Sequence, residues 1–265
     1  MKIVQNIDAR ELLVKRYWKK TRRLFAALRK PLIDQAEHTD GDRLKLMIAD
    51  LLNPEPMKDH IDGLWGRVGG KFAYDTESRI KPPEKYESIR LELKTAKEKL
   101  KTWEERMTAY SAERSLQKTK SIMTTEQEAI NKVIDEVLQQ GLDEGLAIPE
   151  IRKRMVKNLS GDAITEIENW QAERIARTEV ISAGNTGSFE AAQENKEGVK
   201  KEWSTSGYGS PRVRDSHLFY ESLGPVEMDY NYNRSTSLQF PGDPDCTLAE
   251  EVINCMCAVQ YNTGT

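Results

Sequence analysis

The sequence predicts an α+β chain with a mainly helical N-terminal body containing a long helical hairpin and a small C-terminal α+β domain. Three observations predict it. Apolar residues recur at helical spacing through most of the chain. The composition is 31% charged against 38% hydrophobic, as in long helices that bury one stripe each. From about Gly198 onward, helix formers give way to Gly, Pro, Asn, Ser and aromatics. The division that follows is a helical body over residues 1–160 and a second domain over 161–265, a long helix plus a small tail.

The first element is the run RELLVKRYWKKTRRLFAALRK, which sets Leu13, Tyr17, Leu24 and Leu28 near one helical face. Lys15, Lys19, Lys20, Arg22, Arg23 and Arg29 stand around it. Such a basic amphipathic helix suits DNA, an acidic protein groove or a membrane surface. A solvated cationic face over an ordinary core contact is the equal alternative. Asn53–Pro56 and Asp62–Gly70 read as loops, and Lys81–Pro83 as a further stop.

Next comes the most regular signal in the chain. Ile89, Leu93, Ala96, Leu100, Trp103, Met107 and Tyr110 alternate by four and three residues, a heptad seam that must be buried against a partner helix. Thr125 and Glu128 have capping-box spacing and open a candidate partner that buries Ile130, Val133, Ile134, Val137 and Leu138 and stops at Gly141. The two segments are expected to pair as a helical hairpin, or the seam to pair with a second copy of the chain. A short helix follows from Pro149 to Leu159. Asp162 opens a longer one with Ile164, Ile167, Ile175 and Val180 as core candidates and Gly184 and Gly187 as weak points.

In the tail, Val226, Met228, Tyr230 and Tyr232 alternate with polar residues as in a half-buried strand. Cys255, Cys257, Val259 and Tyr261 fall on one face of another. No apolar stretch reaches the roughly 18 residues of a membrane span, and no signal peptide is legible, so a soluble cytosolic protein is expected. Three cysteines are too few for a disulfide framework and agree with a reducing compartment.

The scarce chemical side chains collect late. His217, Cys246, Cys255 and Cys257 supply one imidazole and three thiols, a donor set for tetrahedral zinc. Without a paired Cys-x-x-Cys, the favoured reading is buried thiols beside a hydrogen-bonded histidine and no cofactor, with zinc as the alternative. No local signature supports a Cys–His nucleophilic pair. Arg174, Arg177 and Thr178 share neighbouring helical turns and suit a grip on a loop of the tail, a carbonyl cluster or a phosphate. An Arg, then Ser-Thr-Ser at Ser204–Ser206 or Ser235–Ser237, then Glu250 and Glu251, follows the order of ADP-ribosyltransferases. The acidic pair is adjacent rather than spaced by one, which spoils the match.

From Arg174 to the end, the order of features resembles the phage head morphogenesis family, the Mu F-like minor head proteins. The residues that carry the resemblance are Arg177, Thr178 and Glu179; Gly198, Val199 and Trp203; Arg212, Arg214 and His217; Gly224; Pro241 and Gly242; and Asn254, Cys255 and Cys257. Met256 stands where the family commonly has Arg, and extra residues separate His217 from Leu223 and Gly224. The resemblance implies a virion-assembly protein of a tailed-phage head, made in the host cytoplasm and resident in the virion head. Its implied partners are the portal, capsid or scaffold proteins and DNA, and its implied role is in procapsid assembly and in DNA packaging or ejection. Some relatives join this module to a toxin or enzyme domain, and none is expected after Thr265. An ADP-ribosyltransferase-like or nuclease-like enzyme and a plain DNA-binding module are the alternative classes.

Overall fold

Between Pro83 and Gly141 the sequence holds neither proline nor glycine, and nothing there interrupts the ladder of helical hydrogen bonds. The result in the computed structural model is one 55-residue helix, Ile89–Asp143. Residues 2–3, 7–81, 89–195, 197–205 and 213–263 are described. Their elements are β1 (Lys2–Ile3), α1 (Ile7–Ala36), α2 (Gly41–Leu51), α3 (Glu55–Ile80), α4 (Ile89–Asp143), α5 (Ile148–Ser160), α6 (Asp162–Gln193), β2 (Val199–Ser204), α7 (Asp215–Ser222), β3 (Val226–Glu227), α8 (Ala249–Val252) and β4 (Ala258–Thr263). The fold is mostly helical, with a small antiparallel sheet built chiefly from the C-terminal region.

The chain forms two compact units, each discontinuous in sequence. One comprises Met1–Tyr17, Ile61–Glu113 and Arg174–Thr265, and the other Trp18–His60 and Arg114–Glu173. Both draw on residues either side of position 160.

In the first unit the heptad seam finds a partner other than the expected one. Trp103 and Met107 are buried, and the helix against them is α3. A Cβ on Gly70 would lie 2.7 Å from the Glu104 Cα, and one on Gly66 would run into Thr108. The pairing of 66 with 108 and 70 with 104 makes α3 and α4 antiparallel, so a helical hairpin does form, from different segments. The glycine-rich stretch expected to be a loop is therefore the contact face of a helix. Gly66, Gly69 and Gly70 give up helix propensity, about 1 kcal/mol each, and let the backbones approach. Helix α6 runs through Gly184 and Gly187 without a break for the same reason, since a Cβ on Gly187 would meet the carbonyl oxygen of Gly69. The anticipated helix start at Thr125 is likewise absent. Its hydroxyl donates to the Ser121 carbonyl at 3.0 Å, the back-bond of a residue inside a helix rather than a cap.

The second unit buries Phe25, Leu32, Leu44, Ile48, Ile130 and Ile134. Helix α2, capped by the Asp40 carboxylate accepting from the Arg43 amide at 2.9 Å, lies antiparallel to the end of α4. A Cβ on Gly41 would meet Leu138, and Lys45 pairs with Asp135 at 2.5 Å. Helix α5 starts at Ile148 with Pro149 in its first turn, where a missing amide costs nothing.

The sheet belongs to the first unit and has the order β1-β4-β2-β3, with every pairing antiparallel. The longest ladder runs from Val199 opposite Thr263 to Ser204 opposite Ala258. Strand β2 alternates, turning Val199, Lys201 and Trp203 inward. The expected strand at Val226–Tyr232 is paired only at Val226 and Glu227, and its remainder turns. Met228 and Tyr232 are buried all the same.

Candidate functional site

Strand β2, helix α7 and the segment before β4 enclose a small aromatic core of Trp203, Tyr220, Tyr232 and Leu238 with Cys255 and Cys257. Trp203 is its hub, with ring centroids 4.9 Å from His217 and 5.1 Å from both Tyr220 and Tyr232. Into this core α7 projects His217, which is 1% exposed.

His217 is held from both ring nitrogens. Nε2 lies 2.9 Å from Glu251 Oε2, and the Ser216 hydroxyl donates to the same oxygen at 3.2 Å. With a carboxylate oxygen accepting from Nε2–H, the Nδ1 lone pair faces the other way. There it meets sulfur, with Nδ1 3.4 Å from Cys257 Sγ and 3.8 Å from Cys255 Sγ. The three ligand atoms lie within 4.8 Å of one another. Cys257 sits below the ordinary thiol range, chiefly because of its hydrogen bond with Cys255 and secondarily because of His217. Cys255, on the other side of that bond and fully buried, is raised. None of the cysteines is in a disulfide. Cys246 stands apart, half-buried against the same core with its thiol directed to the Leu248 carbonyl at 3.6 Å.

The Arg-Thr-Glu turn of α6 grips the turn that carries these cysteines. Arg177 Nη1 donates to Asn254 Oδ1 at 3.3 Å, and the Asn254 amide donates to the Thr178 hydroxyl at 3.1 Å. Asn254 has φ of 60°, a left-handed conformation that Asn tolerates better than most residues. Arg214 Nη2 donates to the Ile253 carbonyl at 2.6 Å. Glu179 accepts from the Trp65 indole at 2.7 Å and so ties α6 to α3. Arg174 is half-buried on α6. Arg212 and Ser206 lie outside the described residues.

Two groups carry as much of the arrangement and were not singled out in the sequence. Glu251, half of an adjacent acidic pair in the sequence, sits on the short helix α8 and faces His217. Asn185 sits in an Ala-, Gly- and Ser-rich stretch of α6, where a lone amide among small residues is the sequence mark of a buried polar hub.

The basic residues of α1 divide. Lys15, Lys19, Arg22 and Arg23 are exposed and Lys20 is half-buried. Arg22 lies over the Trp18 ring at 5.8 Å. Arg29 does not belong with them. It is 5% exposed, pairs with Glu168 at 3.0 Å and donates to the Leu159 carbonyl at 2.6 Å. Its position continues the buried stripe of Thr21, Phe25 and Leu32, so it lies on the packed face of α1 rather than with the exposed basic residues.

The site is thus a helical scaffold whose Arg-Thr-Glu turn holds the Cys-x-Cys segment before β4. The family model described as phage Mu protein F like protein matches residues 132–260, and this part of the chain is a Mu F-like phage head morphogenesis domain. No curated protein and no solved structure gives a significant match. Among the described residues, no helix is long and apolar enough to cross a membrane.

Proposed function

We propose that the chain is a minor head protein of a tailed phage, acting at the portal vertex and capsid interior during procapsid assembly and DNA packaging or delivery. Its partners in this reading are the portal, capsid or scaffold proteins and DNA, and its place is the virion head. The observation that carries the reading is the Mu F-like match over 132–260, a family of generally structural head proteins. The use of the motif side chains supports it. Arg177 and Thr178 are engaged with Asn254, and Glu251 with His217. Ser235, of the second Ser-Thr-Ser run, donates to Asn233 Oδ1 at 2.7 Å, and Glu250 is exposed. Of the groups weighed for ADP-ribosyl transfer, Arg177, Glu251 and Ser235 are thus engaged within the tail and Glu250 faces solvent.

The test is co-sedimentation of the full chain with procapsids assembled with and without the portal. The expected result is chain in the first and none in the second. Equal amounts in both, or none in either, would overturn the portal assignment.

The exposed face of Lys15, Lys19, Arg22 and Arg23 favours a second reading, contact with packaged DNA or an acidic portal surface. DNA contact predicts affinity that falls steeply with salt. Replacing Arg22 and Arg23 with Gln should reduce the slope of log affinity against log salt by about 2. An unchanged slope would remove DNA as the ligand of this face.

A further inference from the structure

The His217, Cys255 and Cys257 triangle has the dimensions of a metal face. A tetrahedral ion with a bond of about 2.0 Å to nitrogen and about 2.3 Å to sulfur has nitrogen–sulfur edges of about 3.5 Å. The two observed here are 3.4 and 3.8 Å. Three features of the surroundings point the same way. The carboxylate of Glu251 at Nε2 leaves Nδ1 to ligate, the arrangement in which metal-binding histidines are usually held. The Cys257 amide donates to Cys255 Sγ at 3.4 Å, a bond that favours the thiolate over the thiol. The segment carrying both sulfurs, just before β4, is anchored on either side, by Arg177 and Thr178 at Asn254 and by Asn185 at the Cys257 carbonyl, 3.1 Å away.

We propose that His217 Nδ1, Cys255 Sγ and Cys257 Sγ bind one zinc ion that staples the tail of the Mu F-like domain, with Glu251 as a positioning residue. The donor set of one imidazole and two thiolates suits zinc over the harder divalent cations. Binding breaks two S–H bonds and forms two S–Zn bonds, and the two protons go to solvent. The two thiolate charges balance the ion, and no electron changes hands. Cys246 is not a ligand, because its thiol is directed to the Leu248 carbonyl. The proposal does not depend on the head-assembly role.

The experiment measures metal content of the full chain, purified from zinc-supplemented cells and exchanged into metal-free buffer. The wild type and Cys246→Ser should each hold one equivalent of zinc, and the Cys255→Ser/Cys257→Ser double variant less than about a tenth. Because misfolding of the double variant would also abolish zinc binding, cobalt replacement in the wild type gives an independent readout. A sulfur-to-cobalt charge-transfer band with intense visible transitions is expected. In chelator competition, Glu251→Gln should bind zinc about 10- to 100-fold more weakly while its metal-free melting temperature stays near that of the metal-free wild type. Wild type without zinc and without the cobalt spectrum, full zinc in the double variant, or loss of zinc in Cys246→Ser would each overturn the assignment.

Discussion

Arg10 Nη2 donates to Asn185 Oδ1 at 2.5 Å across 175 positions of sequence. The same Arg10 reaches the Cys257 carbonyl at 3.1 Å, and Asn185 also takes the Val259 amide at 3.3 Å and donates to the Pro241 and Cys257 carbonyls at 2.7 and 3.1 Å. One buried amide thereby joins α1, α6, the Pro-Gly loop and the start of β4. Every hydrogen-bonding position of that amide is used. The guanidinium it holds is fully buried, and burial lowers its pKa to about 10.

Replacing Asn185 with Ala leaves a buried charge and three backbone groups short of partners. Unfolding free energy should drop by about 2 to 4 kcal/mol, measured by urea denaturation of the full chain. A loss below about 0.5 kcal/mol would show that water replaces the amide at little cost.

Gly187→Ala sets helix propensity against packing. Propensity alone favours Ala by about 1 kcal/mol. The new methyl group would, however, run into the Gly69 carbonyl of α3, a backbone atom with nowhere to go, and overpacking of this kind costs about 1 to 3 kcal/mol. The expected result is a lower melting temperature, and a higher one would mean that α3 and α6 separate freely.

In the second unit, the carboxyl of Glu126 on α4 is pushed up to about 8, first by burial and then by the neighbouring Glu168 charge, with Arg29 pulling the other way. Glu168 on α6 is raised to about 7, mainly by burial, again against Arg29. Between about pH 4.3, where an unfolded glutamate titrates, and these folded values, the native state keeps protons that the unfolded chain has released. Stability therefore falls as pH rises from about 5 to 8 and levels off above. Glu126→Gln should match the wild type near pH 5 and exceed it near pH 8 by on the order of 2 kcal/mol. Thermal unfolding across that range checks the sign, and parallel curves for the two proteins would refute the assignment.

Lys201 has the opposite sign. Its ammonium points into the core from β2, 5.0 Å from the Phe189 ring centroid and 5.7 Å from that of Tyr232. Burial lowers its pKa to about 8, opposed by Asp243 and Asp229. Below about pH 8 both folded and unfolded chains carry the charge, and only the folded one bears the cost of burying it. Between there and about pH 10.4 the unfolded chain binds the extra proton, so stability rises with pH. Lys201→Met should stabilise at pH 7 by about 1 to 2 kcal/mol, after the lost cation–π contacts are set against it, and the gain should shrink toward pH 10. Equal or lower stability at pH 7 would show the ammonium to be better compensated than this.

Helix type and extent were legible wherever local signals were not in competition. Pro149 falls in the first turn of α5 and α6 begins at Asp162, as the sequence places them, because helix-start signals act within a single turn. Gly66, Gly69 and Gly70 misled, since glycine marks a break when a segment is read alone and a close contact when another backbone lies against it. Thr125 misled similarly: a hydroxyl able to cap an amide can equally return its proton to the preceding turn, and the helix upstream of it decides which. At the candidate site, His217, Cys255 and Cys257 stood out by rarity alone. Glu251 and Asn185 did not, being common residue types whose meaning lies in what they face.

The sequence by itself determined that long one-sided helices would form, that their stripes needed partners, and that the last quarter of the chain would be a small strand-containing tail, because backbone propensity and apolar periodicity are local properties. Only the tertiary structure decided that α3 covers the seam of α4, that Arg29 turns inward to Glu168, and that His217 meets two sulfurs and a carboxylate. Those outcomes depend on which distant groups can satisfy a buried surface or charge, a choice made between segments of the chain and not within them.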